Sequence, residues 1–423
     1  MMAAGHAAES GAEVLLLEKT ERPGKKILIS GNGRCNLSNT CDLESFINQY
    51  GANGRFLYAV FSRFFREELL AFLRRFGVET VVKYGGKIYP ASENAREIVR
   101  VFLCYLEENK VILQLNTGVD HILIEGGKVV GAQTKTDTYS CDAVILATGG
   151  ASHPQTGSTG DGYRIAKDLG HTIIKLRPGL VPLMVEETGL AKSMMGSSLS
   201  NVRLTAFQNR AAEIDPALVP AHTTGRGISG KKSKPPVIES RTGDAIITHF
   251  GLSGPIALEM SLAIIDALEN GPVSVSIDLK PEISKTRLIS HLQHDFNQHS
   301  KRAFQTIMRS YLSHKMIEPF VVLSGIPGDK TANEIKAEER DRIAGLLKSL
   351  CFNIVGPFSM STAMVTAGGL SLQEIDPGTM ASKIVEGLYF CGEVMDLDAV
   401  TGGYNLQAAF STGWVAGEEA AKD

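Results

Sequence analysis

Paired cysteines are what this sequence most plainly lacks. Its six, Cys35, Cys41, Cys104, Cys141, Cys351 and Cys391, are scattered, and no two form C-x-x-C. Such spacing argues against a disulfide framework and a zinc site, so no metal centre is expected and a reducing, cytoplasmic setting fits. Long apolar runs are missing too. The stretch Ala143 to Ala147 is typical of the longest, far short of the ~20 residues that span a bilayer. Neither charge sign dominates: 43 basic against 46 acidic side chains leave −3. No global field therefore draws the chain to nucleic acid or to an anionic membrane. The first residues hold no basic segment leading into an apolar core, so no export signal is expected. Nothing in the composition fixes an oligomeric state.

What is present is an ordinary globular composition, 43% hydrophobic and 21% charged over 423 residues with 43 glycines. That length suggests about two or three domains. The opening MMAAGHAAESGAEVLLLEK reads as a small-residue helix followed by an apolar strand that ends in Glu18. FLYAVFSRFFREELLAFLRRFG has helical spacing and stops at Gly77. Ser92 is expected to cap the next helix, with Glu93 in its first turn. From Val111 the period turns strand-like, and Gly126-Gly127 predicts a hairpin turn. CDAVILATGG then reads as a buried parallel strand ending in a turn.

Composition shifts near Pro178. Short β-like segments to about Pro281 suggest a small barrel or sandwich, and residues 283–350 read as helical with a break at GIPGD. EGLYFCGEV is again strand-like, then a glycine turn and a helix from about Asn405. The predicted layout is a discontinuous α/β domain, residues 1–178 plus 351–423, holding an insert over 179–350. The insert divides into a β part (about 179–281) and a helical part (282–350).

Several motifs carry chemistry. In dinucleotide folds an acidic residue roughly 20 positions after a glycine loop accepts two hydrogen bonds from a ribose diol, a role Glu18 suits. The alternative for so short a signal is an ordinary strand end. SGNGRCN, residues 30–36, offers Gly31 and Gly33 for close backbone approach and Arg34 for charge. Cys35 within it reads better as a small buried residue than as a redox thiol. Thr148, Gly149 and Gly150 end the strand at 143–147, and TGSTGDG leads into a helix whose amides face a polar ligand group. Glu393 sits at a later strand terminus, and Gly402-Gly403 precede the last helix. Its positive end would favour negative charge on whatever lies before it. The literal G-x-G-x-x-G at Gly225, Gly227 and Gly230 lacks both strand and helix and is a decoy. Lys231, Lys232 and Lys234 read as a solvated loop. His153, His249, Tyr163 and Tyr404 are weak candidates for proton transfer.

Taken together, PGKKILISGNGRCN, ILATGG, TGSTGDGY, THFGLSGP and GLYFCGEVMDLDAVTGGYNLQAAFSTGWVAG resemble one family. It is the group of bacterial FAD-binding oxidoreductases that includes aminoacetone oxidase and the BaiN/RdsA-like proteins. The resemblance runs from Met1 to about Gly417 and implies an α/β, Rossmann-like FAD domain, discontinuous, with an inserted β-barrel plus helical subdomain. It implies that Glu18 binds the adenosine ribose and that Arg34, Cys35 and Asn36 lie along the cofactor. Gly392 and Glu393 would hold its phosphate–ribitol part, and Gly403, Asn405 and Leu406 would face the flavin. Lys19, Gly31, Gly33, Val119, Thr148, Gly149 and Gly150 are further expected cofactor contacts. Such proteins begin with a strand and a glycine-rich loop, and Met1 stands where the residue after the third glycine belongs, so a longer natural protein is expected.

The activity implied is FAD-dependent oxidation or reduction of a small organic substrate, with NAD(P)H as a transient donor or oxygen as acceptor. No second glycine fingerprint offers a resident nicotinamide site. The competing reading is a non-catalytic or RNA-associated binding protein on the same scaffold, or an inactive truncated form.

Overall fold

The structure is a computed structural model that describes residues 1–213 and 236–422. The Gly225–Gly230 pattern and the lysines at 231, 232 and 234 lie outside the described residues. The chain divides into two units, residues 1–179 with 360–423, and residues 180–359. Among the described residues no helix is long and apolar enough to cross a membrane.

The first unit is α/β. Its opening helix, α1 (Met2–Glu9), is made of small residues because it lies against the last helix of the chain, α2 (Tyr404–Ala420). A Cβ on Gly417 would meet Ala3 O at 2.4 Å, and one on Gly5 would meet the Tyr105 ring at 2.4 Å. Larger side chains would push the backbones apart. Chain order then gives strands β1 (Leu15–Leu17), β2 (Ile112–Gln114), β3 (Val144–Leu146) and β4 (Leu388–Phe390). β1 pairs with β2 in parallel, Leu16 opposite Leu113, and β3 pairs with β4 in parallel, Ile145 opposite Tyr389. Continuous apolar strands joined through helices are the pattern of a doubly wound sheet.

The predicted hairpin is present. Val119–Glu125 pairs antiparallel with Lys128–Thr134, and Gly126 and Gly127 turn with φ of 57° and 87°. Two residues at positive φ make the tight turn that suits strand twist, and glycine takes them without strain.

Three local expectations are corrected. The helical segment after Phe56 is broken into Leu57–Phe61 and Arg66–Arg75. The break is stabilised by Glu68, whose carboxylate accepts from the Phe65 N–H and starts the second helix afresh. The next helix is Ala95–Glu108 and is capped by Asn94, whose side chain accepts from Arg96 N, not by Ser92. Glu93 therefore lies outside the helix, at φ 50°. The last helix begins one residue earlier than expected, at Tyr404, with Gly403 as its N-cap.

The second unit contains a closed six-stranded barrel. Its order around the ring is Leu183–Val185, Gly251–Ser253, Val237–Ile247, Ser197–Phe207, Val273–Asp278 and Leu350–Pro357. Its last strand lies beyond the boundary placed at 350, because ring closure needs a partner for Val273–Asp278 and for Leu183–Val185. The helix Pro255–Leu268 falls in the stretch read as β-like. Proline at its first turn and apolar residues on nearly every face leave no helical period to detect. Helices Lys285–Gln298, Phe304–Met308, His314–Ser324 and Ala337–Lys348 follow, broken after Ser324 by Gly325.

Candidate functional site

In open α/β sheets ligands gather beyond the carboxyl ends of the strands, where the chain turns into helices. Three of the four parallel strands of the first unit carry named residues there. After β1 come Glu18 and Lys19, after β3 Thr148 to Ser152, and after β4 Gly392 and Glu393.

A cavity of about 1120 Å³ lies in this unit. Glu18, Lys19, Val119 and Thr148 all line it, with Gly118 and Gly157. The Glu18 carboxylate is held by the Thr20 N–H, which donates to Oε1 at 2.8 Å. Lys19 Nζ is drawn to Thr159 and Asp161, which holds the Asp161 carboxyl below its usual range against the opposing effect of burial. A fixed carboxylate beside glycine backbone is what a diol-bearing, flat ligand end requires, so these residues fit the adenosine half of FAD.

A second cluster surrounds Glu393. Its carboxylate accepts from Thr366 N at 2.9 Å and Ser152 Oγ at 3.2 Å, and pairs with Lys26 Nζ, which also donates to Ser152 Oγ at 2.9 Å. Gly150 lets this knot close, because a Cβ there would meet Glu393 Cδ at 2.9 Å. Tyr163 donates to Glu393 O at 3.2 Å, and burial raises its phenol well above the ordinary range. His153 stands nearby in a left-handed conformation; burial, then Lys26, lowers its pKa. A neutral imidazole and a phenol held protonated can each exchange a proton only with a group brought close to them.

The third cluster is the start of α2. Gly403, the N-cap of this 17-residue helix, offers no side-chain cap, and a helix start of this kind favours an anionic group placed before it. Gly403 N donates to the Asn36 side chain at 2.9 Å, in the amide orientation that also lets Asn36 donate to Ser38 O and Ile88 O. Asn405 folds back, bonding both N and O of Ala399 at 2.9 and 2.8 Å. Its role here is to fix the turn before the helix. Leu406 is partly buried against the core. Tyr404 accepts at its carbonyl from Tyr50 Oη, and its own hydroxyl lies 3.9 Å from Cys41 Sγ.

SGNGRCN is a tight coil, with Gly31, Asn32, Gly33 and Cys35 all at positive φ. Arg34 leaves it to reach Glu93 at 3.5 Å and to lie over the Tyr89 ring. Cys35 is fully buried, and burial pushes its thiol up to about 12. Gly149 turns at φ 72° after β3, and Gly392 N donates to Thr412 Oγ1 at 3.0 Å. His249 belongs to the second unit, its ring edge-on to Phe250 at 4.9 Å.

The residues that sequence reasoning missed are Lys26, Ser152, Thr366 and Gly157. Lys26 lies inside PGKKILIS, Gly157 inside TGSTGDG and Ser152 directly after ATGGA, so three of the four stand in or beside the quoted motifs. Thr366 carries no local signal at all.

A sequence profile of the HI0933-like protein Rossmann domain matches residues 1–419. The 3-dehydro-bile acid delta(4,6)-reductase of Clostridium scindens is 30% identical over 422 residues, 98% of this chain and 94% of that protein. The ribosomal RNA dihydrouridine synthase of Escherichia coli is 27% identical over 99% of this chain and 94% of its own. Among solved structures, the 3-ketosteroid delta1-dehydrogenase of Sterolibacterium denitrificans superposes with a TM-score of 0.52 at 13% identity, covering 100% of this chain and 97% of that one. A flavocytochrome c3 fumarate reductase gives 0.50 at 16% identity, covering 100% and 76%. At these identities the structural matches establish the fold alone.

Proposed function

The chain belongs to the HI0933-like Rossmann family of FAD-binding oxidoreductases, and from that premise we propose that it reduces a carbon–carbon double bond conjugated to a ring carbonyl. The reading is carried by one observation of chemistry. The names of two relatives with unlike substrates, a 3-dehydro-bile acid and a uridine of ribosomal RNA, both describe saturating a double bond in conjugation with a carbonyl. What they have in common is the electron-poor alkene, so the alkene defines the substrate class.

FAD, when bound, supplies the hydride chemistry. The chain's own residues bind and orient it. Glu18 would accept from the adenosine ribose, with Lys19, Val119 and Thr148 flanking that end. Glu393, held by Lys26, Ser152 and Thr366, would hold the phosphate–ribitol part. The uncapped start of α2, set in place by Asn36 and Asn405, stabilises negative charge on the group before it. Arg34, Gly31 and Gly33, in the coil that ends at the buried Cys35, would lie along the cofactor.

The test is anaerobic. Protein loaded with FAD is reduced chemically, then mixed with cyclohexenone, a 3-keto-4-ene steroid, uridine or a saturated ketone, while the oxidised-flavin absorbance is followed. Its return with one or more conjugated substrates and not with the saturated ketone is expected; no return with any of them would sink the assignment. Adding NADH or NADPH to the oxidised protein decides the donor. If both leave the flavin oxidised, neither nicotinamide is the donor.

A further inference from the structure

Gly402 and Gly403 lie side by side at the turn into α2, at φ 147° and 97°. Neither position has room for a side chain. A Cβ on Gly402 would meet the Tyr404 ring at 2.4 Å, and one on Gly403 would meet Ser38 O at 2.3 Å. Glycine on both sides has a consequence for the peptide group between them. The rotations that turn a peptide over are hindered largely by the flanking Cβ atoms, and here there are none. Its orientation must therefore be set from outside. A trans peptide points its C=O and N–H in opposite directions, and each end of this one meets an asparagine. Asn39 Nδ2 donates to Gly402 O at 3.2 Å, and Asn36 Oδ1 accepts from Gly403 N at 2.9 Å.

Each of the two asparagines spends its whole amide on fixing backbone. Asn36 also donates to Ser38 O at 3.1 Å and to Ile88 O at 3.2 Å. Asn39 is 3% exposed; its Nδ2 also donates to Gly85 O at 3.0 Å, and its Oδ1 accepts from Cys41 N at 3.0 Å. Aspartate serves in neither place, because an ionised carboxylate has no donor to offer these carbonyls. We infer that Asn36 and Asn39 form a clamp on the single peptide group between Gly402 and Gly403, and that Asn39 is by this means a positioning residue for the flavin chemistry.

The step from clamp to chemistry rests on the proposal that the start of α2 lies beside bound FAD. A helix start acts on negative charge through the direction of its dipoles. A dipole fixed in advance helps most, because it needs no reorientation as the charge develops. An unclamped peptide between two glycines would sample two orientations, one of which sets its carbonyl where its N–H now lies. The average field at the helix start then weakens. Asn405 anchors the same turn at Ala399, ahead of Gly402. Asn39 reaches the peptide itself, from a segment 363 positions away. Its loss therefore lowers the preference for reduced flavin and leaves the Glu18 and Glu393 clusters in place.

The midpoint potential of bound FAD is measured by spectroelectrochemistry in the unaltered protein and in Asn39→Leu, which keeps the side chain's size and removes its donors. Asn94→Ala, which loses the cap of another helix, controls for lost stability. Reduction is expected to become about tenfold less favourable in Asn39→Leu, a fall of ~30 mV for a two-electron couple, with Asn94→Ala unmoved. In flavin-free protein the Gly403 amide, bonded to Asn36 and not to Asn39, is expected to exchange its hydrogen about tenfold faster in Asn39→Leu. An unchanged potential, or an equal fall in Asn94→Ala, overturns the inference. Should Asn39→Leu not fold, Asn39→Ser, too short to reach Gly402 O, takes its place. Should a variant not keep FAD, exchange at Gly403 decides, and a rate equal to that of Asn94→Ala rejects the clamp. The potential is read without substrate, so a failed alkene assay does not touch it, and an unchanged potential leaves the reductase assay standing.

Discussion

Gly403 makes a demanding test of how the site is built. It holds φ 97° as the N-cap of α2, and a Cβ placed on it would lie 2.3 Å from Ser38 O and 2.5 Å from Ser38 C. Both are backbone atoms, so no side chain can swing away. Gly403→Ala then combines two costs. A left-handed conformation costs an L-residue about 1–2 kcal/mol, and forced overpacking costs about 1–3 kcal/mol. The hydrogen bond to Asn36 is also put at risk, at about 1 kcal/mol. The first two together come to roughly 2–5 kcal/mol before any loss of that bond, which for a unit of this size lowers Tm by roughly 4–20 °C. Gly11→Ala is the comparison, because Gly11 has φ 106° but nothing within 4 Å of its added Cβ. It retains the conformational cost and lacks the clash. Thermal unfolding followed by circular dichroism, on flavin-free protein, reads both. If Gly403→Ala melts no lower than Gly11→Ala, the contact between the start of α2 and Ser38 is not the constraint described.

Glu18→Ala removes a charged acceptor worth about 1.5–3 kcal/mol, so FAD affinity should fall roughly 10–100-fold by flavin fluorescence titration, and an unchanged Kd would remove Glu18 from the cofactor site. His171 is buried, with Nδ1 3.2 Å from Glu374 and Nε2 3.0 Å from Ser382 Oγ, and burial lowers its pKa despite Glu374. The unfolded chain then takes up a proton near pH 6.5 that the folded one resists, so His171 costs stability as pH falls below about 6.5, by at most about 1.4 kcal/mol per pH unit. His171→Gln should flatten that part of the urea-midpoint profile between about pH 7.5 and 5.5; an identical slope refutes it. Native-state alkylation mapped by mass spectrometry should mark the exposed Cys104 first and leave the buried Cys35 and Cys391 intact, because burial raises both thiols, to about 12 and about 11. Cys35 modified as fast as Cys104 would contradict its place in the core.

The sequence was most legible where a residue's role is set by its neighbours along the chain. Glu18 after an apolar run marked a strand end because side-chain polarity changes there. The Gly126-Gly127 pair marked a hairpin because few residues accept positive φ twice in succession. Gly402-Gly403 marked the start of α2 for a similar reason. The alanines and glycines of α1 were legible as a small-residue helix, but what it packs against was not. Cys35 was read as buried from residue type alone, and it is.

Other features depend on residues distant in the chain. Lys26 and Glu393 are 367 positions apart, and only the fold brings them together. The barrel's last strand, Leu350–Pro357, follows a long helical stretch, so ring closure cannot be read from local pattern. The helix Pro255–Leu268 is buried on most faces, which erases the period that exposes a helix to reading. By itself the sequence determined the kind of each strongly patterned element and the carboxylate, glycines and helix start that a cofactor needs. The tertiary structure alone decided which strand edges pair and which distant lysine neutralises Glu393. Backbone pairing and ion pairing are set by where chains meet in space, and a one-dimensional pattern carries little of that information.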